Sequence, residues 1–170
     1  YGFVSVPKAA SAANRMGLRV TVPGAGPAAC RTWDAAPDVI VATLNALPYK
    51  PGKDEKEQGQ IYANYNKSLK EKFGVDTYPG LGWGIGREEV FFHDAIVGIV
   101  RAVRWLAKLP EVDPARLTYF GGSQGGGLGM ATVALAGGFH RACFYITAMS
   151  DLYGSDAGRV DGWPSRASRW

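Results

Sequence analysis

The sequence predicts an α/β fold in which helices flank a doubly wound, mostly parallel sheet. Short apolar runs typical of strands alternate with longer segments of helical apolar spacing along most of the chain. The predicted strands cover residues 1–6, 18–22, 38–44, 117–120 and 142–147. The predicted helices cover residues 60–73 and 87–109, and a third follows residue 123 and ends at Gly137-Gly138. In sheets of this class the crossovers are right-handed and active sites lie at the carboxyl ends of the strands.

Length and composition indicate one globular domain over residues 1–170. Hydrophobic residues make up 46% of the chain and charged residues 20%, which is typical of a soluble protein with a real core. The net charge is +4, but the basic residues are scattered, so no nucleic-acid partner is predicted. No run is long and apolar enough to span a membrane. Cys30 and Cys143 form neither a metal motif nor a disulfide framework and are predicted to be buried thiols.

The strands of the first half each have a local signal. Residues 1–6 precede Pro7, which favours a short strand at the edge of a sheet. Residues 18–22 stop at a Gly- and Pro-rich turn over residues 23–27. Residues 38–44 are apolar enough to be buried on both faces.

A loop insertion is predicted over about residues 48–86, with one helix inside it. Residues 48–59 are polar and charged and indicate a surface loop. The apolar residues of helix 60–73 recur at spacing four, at Ile61, Tyr65, Leu69 and Phe73. Three residues after this helix either wall a pocket or form a satellite hydrophobic cluster, namely Tyr78, Leu81 and Trp83.

The longest helical pattern is residues 87–109. Its apolar face is formed by Phe92, Ile96, Ile99, Val103 and Leu106. Pro110 ends the helix, and residues 111–116 are predicted to be the turn that leads into the next strand.

A G-x-S-x-G motif stands where that strand meets the third helix. It comprises Gly121, Gly122, Ser123, Gln124 and Gly125, and strand, tight turn and helix are the context that a nucleophile elbow requires. Ser123 is predicted to be a nucleophile on a strained turn, because its hydroxyl must project above the sheet. The backbone amide of Gln124 is the first candidate oxyanion donor, at the positive end of a helix dipole. A glycine-rich turn without chemistry is the alternative.

The turn over residues 23–27 is a candidate for the second oxyanion amide. Ala25 is the predicted donor by position and Gly26 comes next, although an ordinary turn would have the same composition. Asp151 lies just past the strand 142–147 and is a candidate catalytic acid. A role in capping or bracing the following loop is the preferred interpretation of Asp151.

The chain has two histidines, and neither is a convincing base for Ser123. His140 precedes the strand 142–147, which places it at the amino end of the sheet. His93 precedes Ser123, against the order of serine, acid and histidine in hydrolases with such elbows. The chain is therefore expected to stop before the last strands of the sheet, which would leave the strand 142–147 as an open edge.

The run from Arg101 to Leu135 resembles the acetylxylan esterase and cephalosporin-C deacetylase family of carbohydrate esterases. The resemblance rests on the Leu-Pro-Glu-Val-Asp turn at residues 109–113 and on the Gly-Gly-Ser-Gln-Gly-Gly run that follows the strand. Weaker similarity covers the segment PGAGPAA and the segment DLYGSDAGRVDGWP, whereas residues 50–86 do not match the family pattern. The resemblance implies an α/β-hydrolase-like fold that lacks its C-terminal strands.

The same resemblance implies a serine esterase that removes acetyl groups from acetylated sugars such as acetylxylan. It carries over Ser123 as nucleophile and Gln124 and Ala25 as oxyanion amides, and it implies no cofactor and no metal. Because family members often form oligomers, a second copy or a complementing chain segment is an expected partner. The alternatives are a truncated, non-catalytic domain that binds a ligand or partner chain, and a peptidase of related fold. The start at Tyr1 suggests an incomplete N-terminus, which leaves the compartment open, a secreted or periplasmic one included.

Overall fold

The computed structural model describes residues 1–26, 36–76, 78, 86, 88–150, 154 and 157–159. Within those residues the strands are β1 (Gly2–Ser5), β2 (Met16–Val22), β3 (Val39–Leu44), β4 (Val112–Gly122) and β5 (Phe139–Tyr145). The helices are α1 (Glu55–Phe73), α2 (Phe91–Leu106) and α3 (Gln124–Ala136). No helix in the described part of the chain has the length and apolarity needed to cross a membrane.

The five strands form one sheet in the order β1-β3-β2-β4-β5. Only β1 is antiparallel to its neighbour, whereas the pairs β2–β3, β2–β4 and β4–β5 are parallel. The predicted α/β class is thus confirmed, and so is the predicted edge position of the first strand.

The core lies where β2, β3 and β4 pack against the helices. The residues of β3 from Ile40 to Leu44 are all buried, which confirms that this strand is covered on both faces. The core residues contributed by β2 are Leu18, Val20 and Val22, and those of α2 include Ile99, Val103 and Leu106. Since α2 presents its predicted apolar face to this cluster, burial of that face stabilises its position on the sheet.

The helix α1 begins earlier than predicted. It begins at Glu55 rather than at residue 60, because Asp54 caps it by accepting a hydrogen bond from the Glu57 N–H at 2.8 Å. Glu57 in turn accepts from the N–H of Lys53, the residue before the cap, at 2.6 Å, so a second hydrogen bond from charged residues holds this end of the helix. The predicted apolar face is wrong at its end, since Phe73 is 56% exposed while Gln58 and Leu69 are buried.

The helix α2 is shorter than the predicted range 87–109. Val90 has an extended backbone, with φ −67° and ψ 127°, so the helix begins at Phe91. At the other end, Lys108 and Leu109 donate to Trp105 and Leu106 in i→i−3 bonds of 3.0 and 3.1 Å. The last turn therefore tightens ahead of Pro110, and the regular helix ends at Leu106.

The strand β4 begins at Val112 rather than at residue 117. Val112 pairs with Met16 and Leu117 with Leu18, so residues 113–116 form a bulge in the ladder. Asp113 organises this bulge by accepting hydrogen bonds from the Ala115 N–H at 3.0 Å and from the Arg116 Nε at 2.7 Å. The predicted turn over residues 111–116 is therefore wrong from Val112 on, where an irregular stretch of strand takes its place.

The strand β5 also begins earlier than predicted, at Phe139, and ends at Tyr145. Phe139 pairs with Leu117, and its ring lies 6.1 Å from that of Tyr119, which anchors the amino end of the strand. As predicted, β5 lies at the edge of the sheet that the described residues form, and most of its residues are exposed. For that reason the prediction of a buried Cys143 is wrong, because this thiol is exposed on β5; Cys30 lies outside the described residues.

Candidate active site

Ser123 occupies the turn between β4 and α3. Its backbone has φ 52° and ψ −125°, which confirms the predicted strain at this residue. The Ser123 N–H donates to the Tyr145 carbonyl at 3.1 Å. The Ser123 carbonyl accepts from the N–H groups of Gly127 at 3.1 Å and Ala148 at 2.9 Å. Hydrogen bonds to α3, to the end of β5 and to the loop after it therefore hold the unfavourable conformation.

The glycines of the motif permit close approach of backbones around Ser123. A Cβ atom at Gly125 would collide with the carbonyl oxygen of Val22 at the end of β2. A Cβ atom at Gly121 would lie 2.6 Å from the carbonyl oxygen of Gly125. The first turn of α3 is thus pressed against the ends of β2 and β4, where only hydrogen atoms fit.

Gln124 is the first residue of α3 and is 2% exposed. Its N–H has no helical acceptor because it lies in the first turn, and the dipole of α3 places positive potential there. Its side-chain Oε1 accepts a hydrogen bond from the Tyr78 hydroxyl. The predicted donor is therefore held at the amino end of α3, beside Ser123.

The loop after β2 reaches the same place. A Cβ atom built at Gly24 would lie 3.6 Å from the Ser123 Cβ, so the loop passes directly beside the serine. Ala25 is exposed there and Gly26 has φ 107°. The structure thus places Gln124 next to Ser123 in the chain and Gly24, the neighbour of Ala25, beside the serine.

Neither histidine forms a hydrogen bond with Ser123 in the described part of the chain, which does not include the predicted acid. Asp151, Leu81 and Trp83 lie outside the described residues. His93 is in the first turn of α2, with its Nδ1 3.1 Å from the Asp94 carboxylate. His140 is the second residue of β5 rather than preceding it, and it falls in the irregular step of the β4–β5 ladder at the amino end of the strand. Among the described residues, the Ser123 Oγ has no hydrogen-bond partner.

Sequence reasoning missed one contact of the site. Tyr78 was predicted only as a pocket wall or a cluster member, whereas the structure bonds its hydroxyl to the side chain of Gln124. No local pattern identifies this partner, because the two residues lie 46 positions apart. Within the described part of the chain, His, Cys, Asp and Glu side chains form no group of three that could hold a metal ion.

The chain is similar to a known protein family. The family model of acetyl xylan esterase (AXE1) matches residues 56–153, which is more than half of the chain. That match includes α1 from its second residue onward, the Ser123 turn and β5. The expectation that residues 50–86 do not match the family pattern is therefore wrong over residues 56–86. No curated protein sequence is significantly similar to the chain.

Two solved structures share the fold. Acetyl xylan esterase 1 from Thermoanaerobacterium sp. JW/SL YS485 is 14% identical with a TM-score of 0.59, and the alignment covers 94% of this chain and 48% of that one. An acetyl xylan esterase from Paenibacillus sp. R4 is 20% identical with a TM-score of 0.58, covering 83% of this chain and 42% of that one. The chain therefore spans less than half the length of each relative. Together with the family match, the shared α/β-hydrolase-like sheet shows that this chain belongs to the acetyl xylan esterase family.

Proposed function

We propose that this chain supplies the nucleophile and the oxyanion site of a serine esterase that removes acetyl groups from acetylated sugars. The strained backbone of Ser123, at the amino end of α3 and beside the loop after β2, carries this proposal. Strain of this kind costs of order 1–3 kcal/mol and persists where the surrounding structure enforces it, which is common at active sites. Acetylxylan is the proposed substrate class because of the family to which the chain belongs.

In the proposed reaction, the Ser123 Oγ attacks the carbonyl carbon of the acetyl ester. The carbonyl oxygen becomes an oxyanion, which accepts hydrogen bonds from the N–H groups of Gln124 and Ala25. The Ser123 hydroxyl gives up its proton to a base during the attack. Collapse of the tetrahedral intermediate then expels the sugar alkoxide, which takes this proton back from the base and leaves as the alcohol, and acetyl-Ser123 remains. Water then hydrolyses this ester, so that acetate and free Ser123 result.

The proton acceptor for Ser123 is proposed to be a histidine that this chain does not contain. His93 bonds to Asp94, and His140 lies at the amino end of β5, whereas Ser123 follows the carboxyl end of β4. A complementing segment or a partner chain would then provide the base. Asp151 stays a proposed acid, with a bracing role for its loop as the preferred alternative.

In the test, the full-length protein is exposed to a serine-directed phosphonate, and its intact mass is compared before and after exposure. One adduct is expected, and Ser123→Ala should abolish both the adduct and the release of acetate from acetylated xylan. His93→Gln and His140→Gln are matched controls that should keep both activities. Turnover of a peptide substrate in place of the acetyl ester would favour a peptidase. A folded protein that forms no adduct and releases no acetate would contradict the esterase proposal and favour a binding role.

A further inference from the structure

One buried hydroxyl joins the two halves of the proposed oxyanion site. Tyr78 is 1% exposed, and its hydroxyl donates a hydrogen bond to Oε1 of Gln124. The backbone N–H of Gly26 donates to the same phenol oxygen. That oxygen is therefore a common partner of the first residue of α3 and of the loop after β2.

The two hydrogen bonds can form together only with a neutral phenol. A protonated phenol can donate to Gln124 Oε1 while it accepts from the Gly26 N–H, whereas a phenolate could only accept. Burial raises the pKa of Tyr78 above its usual value, so the hydroxyl keeps its proton. The buried Oε1 of Gln124 thereby has a hydrogen-bond donor, as buried acceptors normally do.

The ring of Tyr78 is held by elements outside the Ser123 turn. Its centroid lies 4.7 Å from that of Phe91, the first residue of α2. It lies 6.3 Å from the ring of Tyr62 on α1, in an edge-to-face arrangement at 74°. Such contacts fix the ring on both sides, so the hydroxyl has a defined position relative to α3.

We propose that Tyr78 is a positioning residue of the oxyanion site. By bonding Gln124 and Gly26 at once, it holds the loop after β2 against α3, so that the N–H groups of Ala25 and Gln124 point at one oxyanion. This inference rests on the proposed esterase function. It also assigns a role to α1, because Tyr62 of this helix supports the Tyr78 ring.

The test uses Tyr78→Phe, which keeps the ring and removes the hydroxyl. Tyr65→Phe is the matched control, because Tyr65 is a half-buried residue of α1 whose ring contacts Tyr49 instead. Two quantities are measured, namely the rate of phosphonate reaction at Ser123 and the amide hydrogen exchange of residues 24–26. Tyr78→Phe should slow the reaction by about 10-fold to 100-fold, as a small misplacement of catalytic groups does. It should speed exchange in residues 24–26 and leave the KM for an acetyl ester nearly unchanged, whereas Tyr65→Phe should alter none of these.

The outcomes separate the positioning role from the proposed function. A folded Tyr78→Phe protein with unaltered loop exchange overturns the positioning role, and so does an unaltered rate in an active enzyme. If the unsubstituted protein never reacts with the phosphonate, the esterase proposal fails, and exchange in residues 24–26 alone decides whether Tyr78 holds the loop. If Tyr78→Phe does not fold, Gln124→Met removes one of the two hydrogen bonds instead and should also speed exchange in residues 24–26, although by less. Where Tyr78→Phe folds, the double variant should exchange no faster than Tyr78→Phe alone, because that substitution already removes the contact that Gln124→Met removes.

Discussion

Ser123 shows at the scale of one residue how the fold stores strain at a reacting atom. Its positive φ is unfavourable for any residue with a Cβ atom, yet three backbone hydrogen bonds hold it there. Its Oγ makes no hydrogen bond within the described residues. The hydroxyl is thus available to react, while the conformational strain lies in the backbone.

We therefore expect Ser123→Gly to be more stable than Ser123→Ala. Both variants lose the hydroxyl, but only glycine relieves the strain, which should exceed its entropic cost by about 1 kcal/mol. Chemical denaturation with the two variants side by side measures the difference. Equal unfolding free energies would show that the turn is not strained.

Gly125 is expected to be indispensable for a different reason. Gly125→Ala would drive a Cβ atom into the backbone carbonyl of Val22, which cannot rotate away. The free energy of unfolding should fall by about 3 kcal/mol or more, and phosphonate labelling of Ser123 should be lost.

Gly98→Ala in α2 is the matched control, because nothing lies within 4 Å of a Cβ atom built there. This substitution should stabilise the protein by up to about 1 kcal/mol through helix propensity. Thermal unfolding of both variants checks the pair. A well-folded, reactive Gly125→Ala protein would contradict the close approach of α3 to β2.

At the scale of elements, the bulge in β4 depends on a single carboxylate. Asp113 bonds to Arg116 and Ala115, and Arg116 also donates to the carbonyl of Arg15 at 2.7 Å. These contacts connect the amino end of β4 to the residue that precedes β2. The Arg116 hydrogen bond, and then that of Ala115, lower the pKa of Asp113.

This direction predicts a loss of stability in acid. Since the folded pKa lies below the ordinary value of 3.8, the stabilisation is fully present above that value and is lost as the pH falls through the folded pKa. The Asp113→Asn protein should lose less stability than the unsubstituted protein as the pH falls. Arg116→Gln should also reduce this loss, because it removes the hydrogen bond that contributes most to the lowered pKa of Asp113. Midpoints of thermal unfolding between about pH 2 and pH 6 measure it. The same decline in all three proteins would show that Asp113 is not involved.

At the scale of the whole molecule, β5 is the exposed end of the sheet. Within the described residues it pairs only with β4, and its far edge is open. Large apolar side chains are exposed at the carboxyl ends of these two strands, where Phe120 is 44% and Tyr145 47% exposed. An open strand edge with apolar neighbours is a template for pairing with another chain.

We expect the chain to self-associate through β5 at about micromolar concentrations and above. Cys143→Lys should reduce this association, because a charge on an edge strand disfavours pairing. Met130→Lys adds the same charge to the exposed surface of α3 and should leave association unchanged. Sedimentation velocity in reducing buffer separates the two variants. Equal association of both would show that β5 is not the contact.

Local patterns predicted most of the fold and the centre of the site. Apolar periodicity located β2, β3 and α2 to within a few residues, and the glycines around Ser123 predicted the turn. The start of α1 was missed because its cap consists of charged residues that also suit a loop. The first residues of β4 and β5 were missed because the pairing of these residues with the neighbouring strand is irregular.

The order of the elements, the turn at Ser123 and the family could all be predicted from local patterns, because each depends on residues close together in the chain. The exposure of Cys143 could not, since its burial depends on which strand lies at the edge of the sheet. Only the tertiary structure decided that Tyr78 meets Gln124 and Gly26. A hydrogen bond between residues 46 positions apart leaves no trace in local spacing, because chain folding alone brings them together.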